Sequence, residues 1–288
     1  MTHAPNLSPC FTIGIPVFNG QDTLKETLES CAKVPAEAVR VIVIDNCSTD
    51  ATYEIAQDHA SSYPHMTVFR HEQNVGAANN FKYLLDTCQT EYFMWLAADD
   101  VIESMDLTEV ERLFELYPRA IAVAPFAMVG YPLVPDRGNR PLVCSASRNV
   151  LKFLLRPGVN SRFYSIYRTE RLRKIFASTF GTGNGGYFAS DIVFSVAVLR
   201  EGEWPLAESC VLTRKPGISA DGWKLRKSFA KSLLGAVFPS KKFIHQIVGM
   251  VSVAEKIPVL LVVSLLYLRY FIGPVRHQIA KRLEAQRT

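Results

Sequence analysis

The feature that most restricts this chain is a hydrophobic period that switches repeatedly along its N-terminal third. Short, largely apolar runs at 11–17 (FTIGIPV), 39–44 (VRVIVI), 66–70 (MTVFR) and 92–97 (YFMWLA) alternate with stretches where apolar side chains recur at helical spacing. Those stripes are Leu24, Leu28 and Cys31, then Thr52 and Ile55, then Phe81, Leu84, Leu85 and Cys88. A strand that is apolar throughout needs cover on both faces, whereas a half-exposed strand alternates. The pattern therefore predicts an α/β fold in which a mainly parallel central sheet carries helices on each side. Ligands of such sheets bind beyond the carboxyl ends of the strands. Asp45 and the pair Asp99–Asp100 stand at two of those ends. Ser48 and Thr49 are placed to cap the helix after the second strand.

After about Pro118 the pattern loosens. A strand is expected over 121–129, a Pro- and Gly-rich loop over 131–140, a helix over 148–155 and a strand over 162–167. The glycine-dense stretch 181–186 precedes a helix at 190–200. The C-terminal part differs in kind, with apolar segments at 243–254 and 257–268 interrupted by Glu255–Lys256. Each is shorter than the roughly 20 apolar residues a spanning helix needs. A buried core helix, an interfacial membrane helix and a re-entrant hairpin all fit that length.

The net charge of +5 is modest, and the position of the cations says more. Basic residues gather over 214–242 and again over 276–282, flanking the apolar segments. That arrangement favours an anionic membrane surface over nucleic acid as a partner. The six cysteines form no CxxC pair and no metal-ligand spacing, so they are expected to be structural thiols in a reducing compartment. The first ten residues are polar and contain proline, with no apolar core of a secretory signal.

Three carboxylate positions suggest chemistry. A carboxylate at the end of a strand, as Asp45 is expected to be, can accept from a nucleobase imide or a ribose hydroxyl. Asp99 and Asp100 can hold a hard divalent cation through oxygen, the usual partner of phosphate oxygens. Asp191, at a helix start after the glycine-rich stretch, can reach a hydroxyl as general base. Each has a plainer alternative. Asp45 can close an Asx-turn, Asp99–Asp100 can cap a helix near Glu103, and Asp191 can sit in a first turn favoured by the helix dipole. No glycine- and lysine-rich phosphate loop follows the first strand, which argues against a nucleotidyltransferase. No G-x-G-x-x-G follows it either, which argues against a dinucleotide-binding oxidoreductase.

Four blocks also resemble the donor-binding half of the family 2 glycosyltransferases: IPVFN (15–19), VIDNCSTDAT (43–52), NVGAANNF (74–81) and YFMWLAADDVI (92–102). The resemblance implies the GT-A fold and an inverting transfer from a nucleotide-activated sugar, usually with Mg²⁺ or Mn²⁺. By position, Pro16 and Asp45 would border the nucleoside, and Asn74 and Gly76 the donor pocket. Asp99 and Asp100 would meet ribose, diphosphate and metal. The segments NSRFYSIYRTERLR (160–173) and ASDIVFSVAVLREGEW (189–204) resemble the acceptor side, with Asp191 in place of the catalytic base. TRKPGIS (213–219) resembles the segment after the last core strand, which puts Arg214 near the diphosphate. Trp204 and Trp223 are candidates for stacking on an acceptor sugar, against the commoner role of such residues in the core. The chain departs from the family pattern at Asn46, where an acid is common, and at Ala97, the first acidic position of many metal blocks.

The resulting expectation is a donor-binding half over 1–118, an acceptor-side half of the same domain over 119–222, and a helical, partly apolar extension over 223–288. The expected substrates are a nucleotide-diphosphate sugar and a saccharide or lipid-linked acceptor, as in cell-surface polysaccharide or glycolipid synthesis. The expected location is the cytoplasm, with residues 243–273 available to hold the protein on the inner face of the membrane. The alternative is a catalytically weak or inactive membrane-associated nucleotide-sugar-binding protein of the same fold.

Overall fold

A computed structural model describes residues 10–156, 158–180 and 190–215. The glycine-dense stretch 181–186, Trp223, the cations beyond Lys215 and the apolar segments 243–254 and 257–268 lie outside the described residues.

The N-terminal alternation becomes β1 (Phe11–Val17), α1 (Leu24–Cys31), β2 (Val39–Asp45), α2 (Thr52–Ser62), β3 (Met66–Arg70), α3 (Ala77–Thr87) and β4 (Tyr92–Trp95). The second half contributes β5 (Asp100–Ser104), α4 (Leu107–Leu116), β6 (Ala122–Val129), β7 (Val134–Pro135), α5 (Ala146–Leu155), β8 (Ile166–Arg168), α6 (Thr169–Phe180), α7 (Ser190–Glu201) and β9 (Leu206–Arg214). The strands form one sheet in the order β3-β2-β1-β4-β8-β6-β9-β5, with β7 added to β6. From β3 to β4 every pairing is parallel. Beyond β4 the sheet is mixed, since β8 runs antiparallel to both β4 and β6, and β5 antiparallel to β9.

Each face of the sheet has its own core, and β4 shows why its sequence is apolar throughout. Phe93 and Trp95 enter the core beneath α3, α5, α6 and α7, while Tyr92, Met94 and Leu96 enter the one beneath α1 and α4. Trp95 is enclosed by aromatic rings, stacked on Phe163 at 5.3 Å between centroids and edge-on to Phe93, Tyr167 and Phe194. Trp204 is also fully buried, its indole N–H donating to Ser165 at 2.9 Å, so it is a core residue and does not face a sugar.

Two local expectations are corrected, and one alternative reading falls away. Ser48 and Thr49 do not cap α2. Asp50 accepts from the Thr52 amide at 3.1 Å, while the Ser48 hydroxyl accepts from the Asn19 amide at 2.8 Å. The strand expected over 162–167 is a 3-10 turn (Ser161–Tyr164) followed by the short β8. The turn forms because Asn160 adopts the left-handed conformation and its carbonyl accepts from Phe163, while the buried Arg162 donates to the carbonyls of Gly138, Arg140 and Trp204. No helix begins near Glu103: Asp100 opens a strand, and α4 starts after Asp106, whose carboxylate accepts from Thr108 and Glu109.

Candidate active site

The carboxyl ends of β1, β2 and β4 gather two groups of polar side chains. The first surrounds Asp45, the last residue of β2, which is completely buried. Its carboxylate accepts from the Ser48 amide at 3.1 and 3.2 Å, an Asx-type turn, and pairs with Arg70 Nε at 3.2 Å. Arg70, at the end of the adjacent β3, also donates to the Ser48 carbonyl and lies 4.7 Å above the Tyr53 ring. Its half-exposed guanidinium, more than the enclosed carboxylate, is the polar group this corner shows to solvent.

Asn46 links that corner to the start of α3. Its side chain donates to Asn74 Oδ1 at 3.0 Å and accepts from the Val75 amide at 2.9 Å. Asn74 Oδ1 also accepts from the Gly76 amide at 2.9 Å. Gly76 has φ +81, and a Cβ placed there would meet no atom within 4 Å, so an open space lies over it. Pro16 is half-buried in β1, opposite Ile44.

The second group lies where β5 meets β9. Asp100 and Arg214 are register partners, and Arg214 Nε donates to Asp100 Oδ2 at 3.0 Å. Asp100 is only 1% exposed, and burial pushes its carboxyl up to about 7 although Arg214 pulls the other way. Burial also raises the more accessible Asp99, with Arg214 again opposing. The Arg214 guanidinium lies 4.6 Å over the Tyr164 ring and donates to the Val159 carbonyl at 3.3 Å. Asp191, in the first turn of α7, accepts from Asn160 Nδ2 at 3.0 Å. Asn160 in turn accepts from the Ser195 hydroxyl at 3.1 Å, so its amide is held from both ends. Burial raises the Tyr164 phenol well above its usual range, and the charges of Arg214, Asp100, Asp99 and Asp191 all act on it. Those four groups therefore share one neighbourhood around Tyr164.

The fold thus brings Asp99, Asp100, Arg214 and Asp191 together, and keeps Asp45, Asn46, Asn74 and Gly76 as a second cluster. The loops after β1 and β4 approach each other between the two clusters, where a Cβ at Gly20 would lie 3.9 Å from that of Ala98. Arg70, Asn160 and Tyr164 belong to this site although no sequence period marks them. Asn160 had a faint signal, because asparagine is enriched at left-handed positions.

Near Tyr164 only Asp100 pairs with the guanidinium, while the charges of Asp99 and Asp191 add negative potential in partly buried surroundings. Among the described residues no group of three His, Cys, Asp or Glu side chains is positioned to hold a metal ion. Ala97 supplies no oxygen, and Asp100 already spends one on Arg214. The donor set therefore fits a hard cation held by Asp99 with help from Asp100, provided that phosphate oxygens complete its shell.

The model of the family described as glycosyl transferase family 2 matches residues 12–176. The putative teichuronic acid biosynthesis glycosyltransferase TuaG of Bacillus subtilis is 28% identical over 134 residues, which are 46% of this chain and 51% of TuaG. The minor teichoic acid biosynthesis protein GgaB of the same organism is 24% identical over 115 residues, 39% of this chain and 13% of GgaB. An uncharacterized glycosyltransferase of Rickettsia felis is 24% identical over 131 residues, covering 46% of this chain and 21% of the relative. The match thus spans about half of these relatives' length at most. Among solved structures, S. aureus TarS 1–349 superposes with a TM-score of 0.59 over 91% of each chain at 14% identity, a likeness of fold. TarS 1–349 in complex with UDP-GlcNAc gives 0.56 over 72% of this chain and 58% of TarS, at 17% identity.

Proposed function

The chain belongs to glycosyl transferase family 2, and on that premise we propose that it transfers a sugar from a nucleotide-diphosphate donor, with inversion, to a saccharide or lipid-linked acceptor. The reading is supported chiefly by the convergence of Asp99, Asp100, Arg214 and Asp191 around Tyr164 at the carboxyl end of the sheet. The teichoic and teichuronic acid names of the relatives support a cell-surface polysaccharide as the product class.

In this mechanism the nucleoside lies against Pro16 and Arg70, which the enclosed Asp45 carboxylate orients, and the sugar occupies the space over Gly76 beside Asn74. Arg214 faces the leaving diphosphate and opposes the charge that grows there as the bond to the anomeric carbon breaks. Asp191 takes the proton of the acceptor hydroxyl while its oxygen forms the new bond. Asn160 occupies one carboxylate oxygen of Asp191 and leaves the other for the acceptor. A Mg²⁺ or Mn²⁺ ion held by Asp99 and Asp100 would supply further neutralisation of the diphosphate. Residues 1–118 form the donor half and 119–222 the acceptor half of one catalytic domain, with 223–288 as an extension that can attach it to the cytoplasmic face of a membrane. No helix among the described residues is long and apolar enough to cross one.

The test is a panel of UDP, GDP and dTDP sugars with Mn²⁺, read by calorimetry for binding and by NMR for the anomer formed. Asp191→Asn should reduce transfer by about a hundredfold or more, the usual weight of a general base, with donor affinity unchanged. Near-normal turnover of that variant would remove Asp191 from the mechanism. A product retaining the donor's configuration would remove inversion. Donor binding by the parent without transfer to any acceptor would favour the binding-protein alternative.

A further inference from the structure

One lip of the site gathers exposed apolar and basic side chains. The connection between β6 and β7 carries Tyr131, which is 95% exposed, and the exposed Leu133, with the exposed Val134 opening β7. Leu155, the last residue of α5, and Val159 just beyond it are also exposed. The two segments are tied together beneath their tips. Asp136 accepts from the Val159 amide at 3.3 Å and the Ser161 hydroxyl at 2.9 Å, and Arg140 donates to the carbonyls of Lys152 and Arg156. A Cβ at Gly158 would overlap the Asp136 carboxylate, so the approach is close. Five exposed apolar side chains therefore share one corner. That corner borders the reacting groups, because the Gly130 amide donates to the Arg214 carbonyl and Arg214 donates to that of Val159.

The charge on this lip has one sign. From Arg137 to Arg168 the sequence contains Arg and Lys but no Asp or Glu. Arg137, Arg148, Lys152 and Arg156 are exposed, and among the described residues none of them has a carboxylate partner. On the outer face of α5, Arg148 and Lys152 lie in line with Leu155. Scattered exposed apolar residues need no explanation, but contiguous ones on a polar-rimmed surface do. An aromatic and aliphatic tip that enters the headgroup layer, ringed by cations that meet anionic headgroups, is the composition of an interfacial membrane contact. A soluble polyanion would account for the cations and leave Tyr131, Leu133 and Val134 in water.

We propose that the corner formed by residues 131–137 and 148–159 is a docking surface for an anionic lipid bilayer, distinct from the C-terminal apolar segments, and that it turns the acceptor side of the site toward the membrane. Its use in catalysis rests on the transferase reading; the contact itself does not. An acceptor carried on a lipid would then meet Asp191 without leaving the headgroup layer.

The experiment sediments the full-length protein, without nucleotide, with vesicles of phosphatidylcholine alone or enriched in phosphatidylglycerol. The parent should bind the anionic vesicles and lose that binding as salt rises. Arg148→Glu combined with Lys152→Glu should weaken it about tenfold or more. Tyr131→Ser combined with Leu133→Ser should weaken it to a similar degree, with an unchanged melting temperature and unchanged donor affinity as the check on folding. Parent-like binding by both variants would overturn the proposal and leave the C-terminal segments as the sole contact. So would absence of binding by the parent, or equal binding to both vesicle types. Soluble poly(glycerol phosphate) that binds as tightly as the vesicles, with Tyr131→Ser/Leu133→Ser unaffected, would overturn it in favour of a polyanionic partner. Failure to transfer sugar from any donor would leave the vesicle result standing and overturn only the transferase reading.

Discussion

Asn160 and Arg214 are the side chains that hold the candidate carboxylates Asp191 and Asp100. Asn160 stands at φ 55 and ψ 42, a conformation asparagine tolerates better than most residues. Its amide is oriented by Ser195 and donates to Asp191. Hydrogen bonds to charged groups are worth about 1.5–3 kcal/mol, or roughly ten- to a hundredfold in rate if the bond matters at the transition state. Asn160→Gly keeps the backbone conformation available and removes only the amide, so kcat should fall by about that factor with the donor KM unchanged. Equal losses in donor affinity and kcat would mean that Asn160 merely shapes the turn. Arg214 neutralises a carboxylate that is almost wholly enclosed. Arg214→Met leaves Asp100 buried without its guanidinium, and breaking such pairs typically costs about 3–5 kcal/mol. The melting temperature should therefore drop well beyond the effect of replacing the exposed Arg148 by Met.

Among the elements, those with strong periods were legible and those defined by their neighbours were not. The strands at 11–17 and 66–70 match the structure to the residue, the first because it is buried almost throughout, whereas the second is an edge strand largely exposed beyond Met66. β8 has three residues, and only its position between β4 and β6 makes it a strand. The start of α4 carried an overlooked sign, an acidic cap at Asp106 with Glu109 three residues later, close to a capping box. Site carboxylates were found because strand ends concentrate ligands. Their partners Arg70, Asn160 and Tyr164 come from other elements and depend on tertiary placement. One junction gives a clear test. Gly202 follows α7, and a Cβ there would lie 2.1 Å from the Arg119 carbonyl oxygen. That backbone is fixed by bonds between Arg119 and Glu203 and between Ile121 and Glu203. Gly202→Ala should cost about 1–3 kcal/mol, as overpacking usually does, seen as a lower urea midpoint at unchanged slope.

At the scale of the whole molecule, the described residues on either side of residue 118 share one sheet and both cores. β8 joins β4 to β6, so the sheet runs through the boundary near residue 118 without a break. Both cores also mix the halves: Phe93 and Trp95 pack with Phe194 and Trp204, and Ile13 shares a core with Val123 and Ala207. Urea unfolding followed by tryptophan fluorescence and by circular dichroism should give coincident transitions. A fragment ending at residue 118 should lack a cooperative transition, since it would expose the faces that β8 and α7 cover. The tie at Asp136 has a different kind of consequence. It fixes Val159 and Ser161 from beneath, while the residues from Tyr131 to Val134 project past it and hold none of the reacting groups. Mutations in that tip are thereby separated from the carboxylates, so selection can alter what the rim touches without retuning the chemistry.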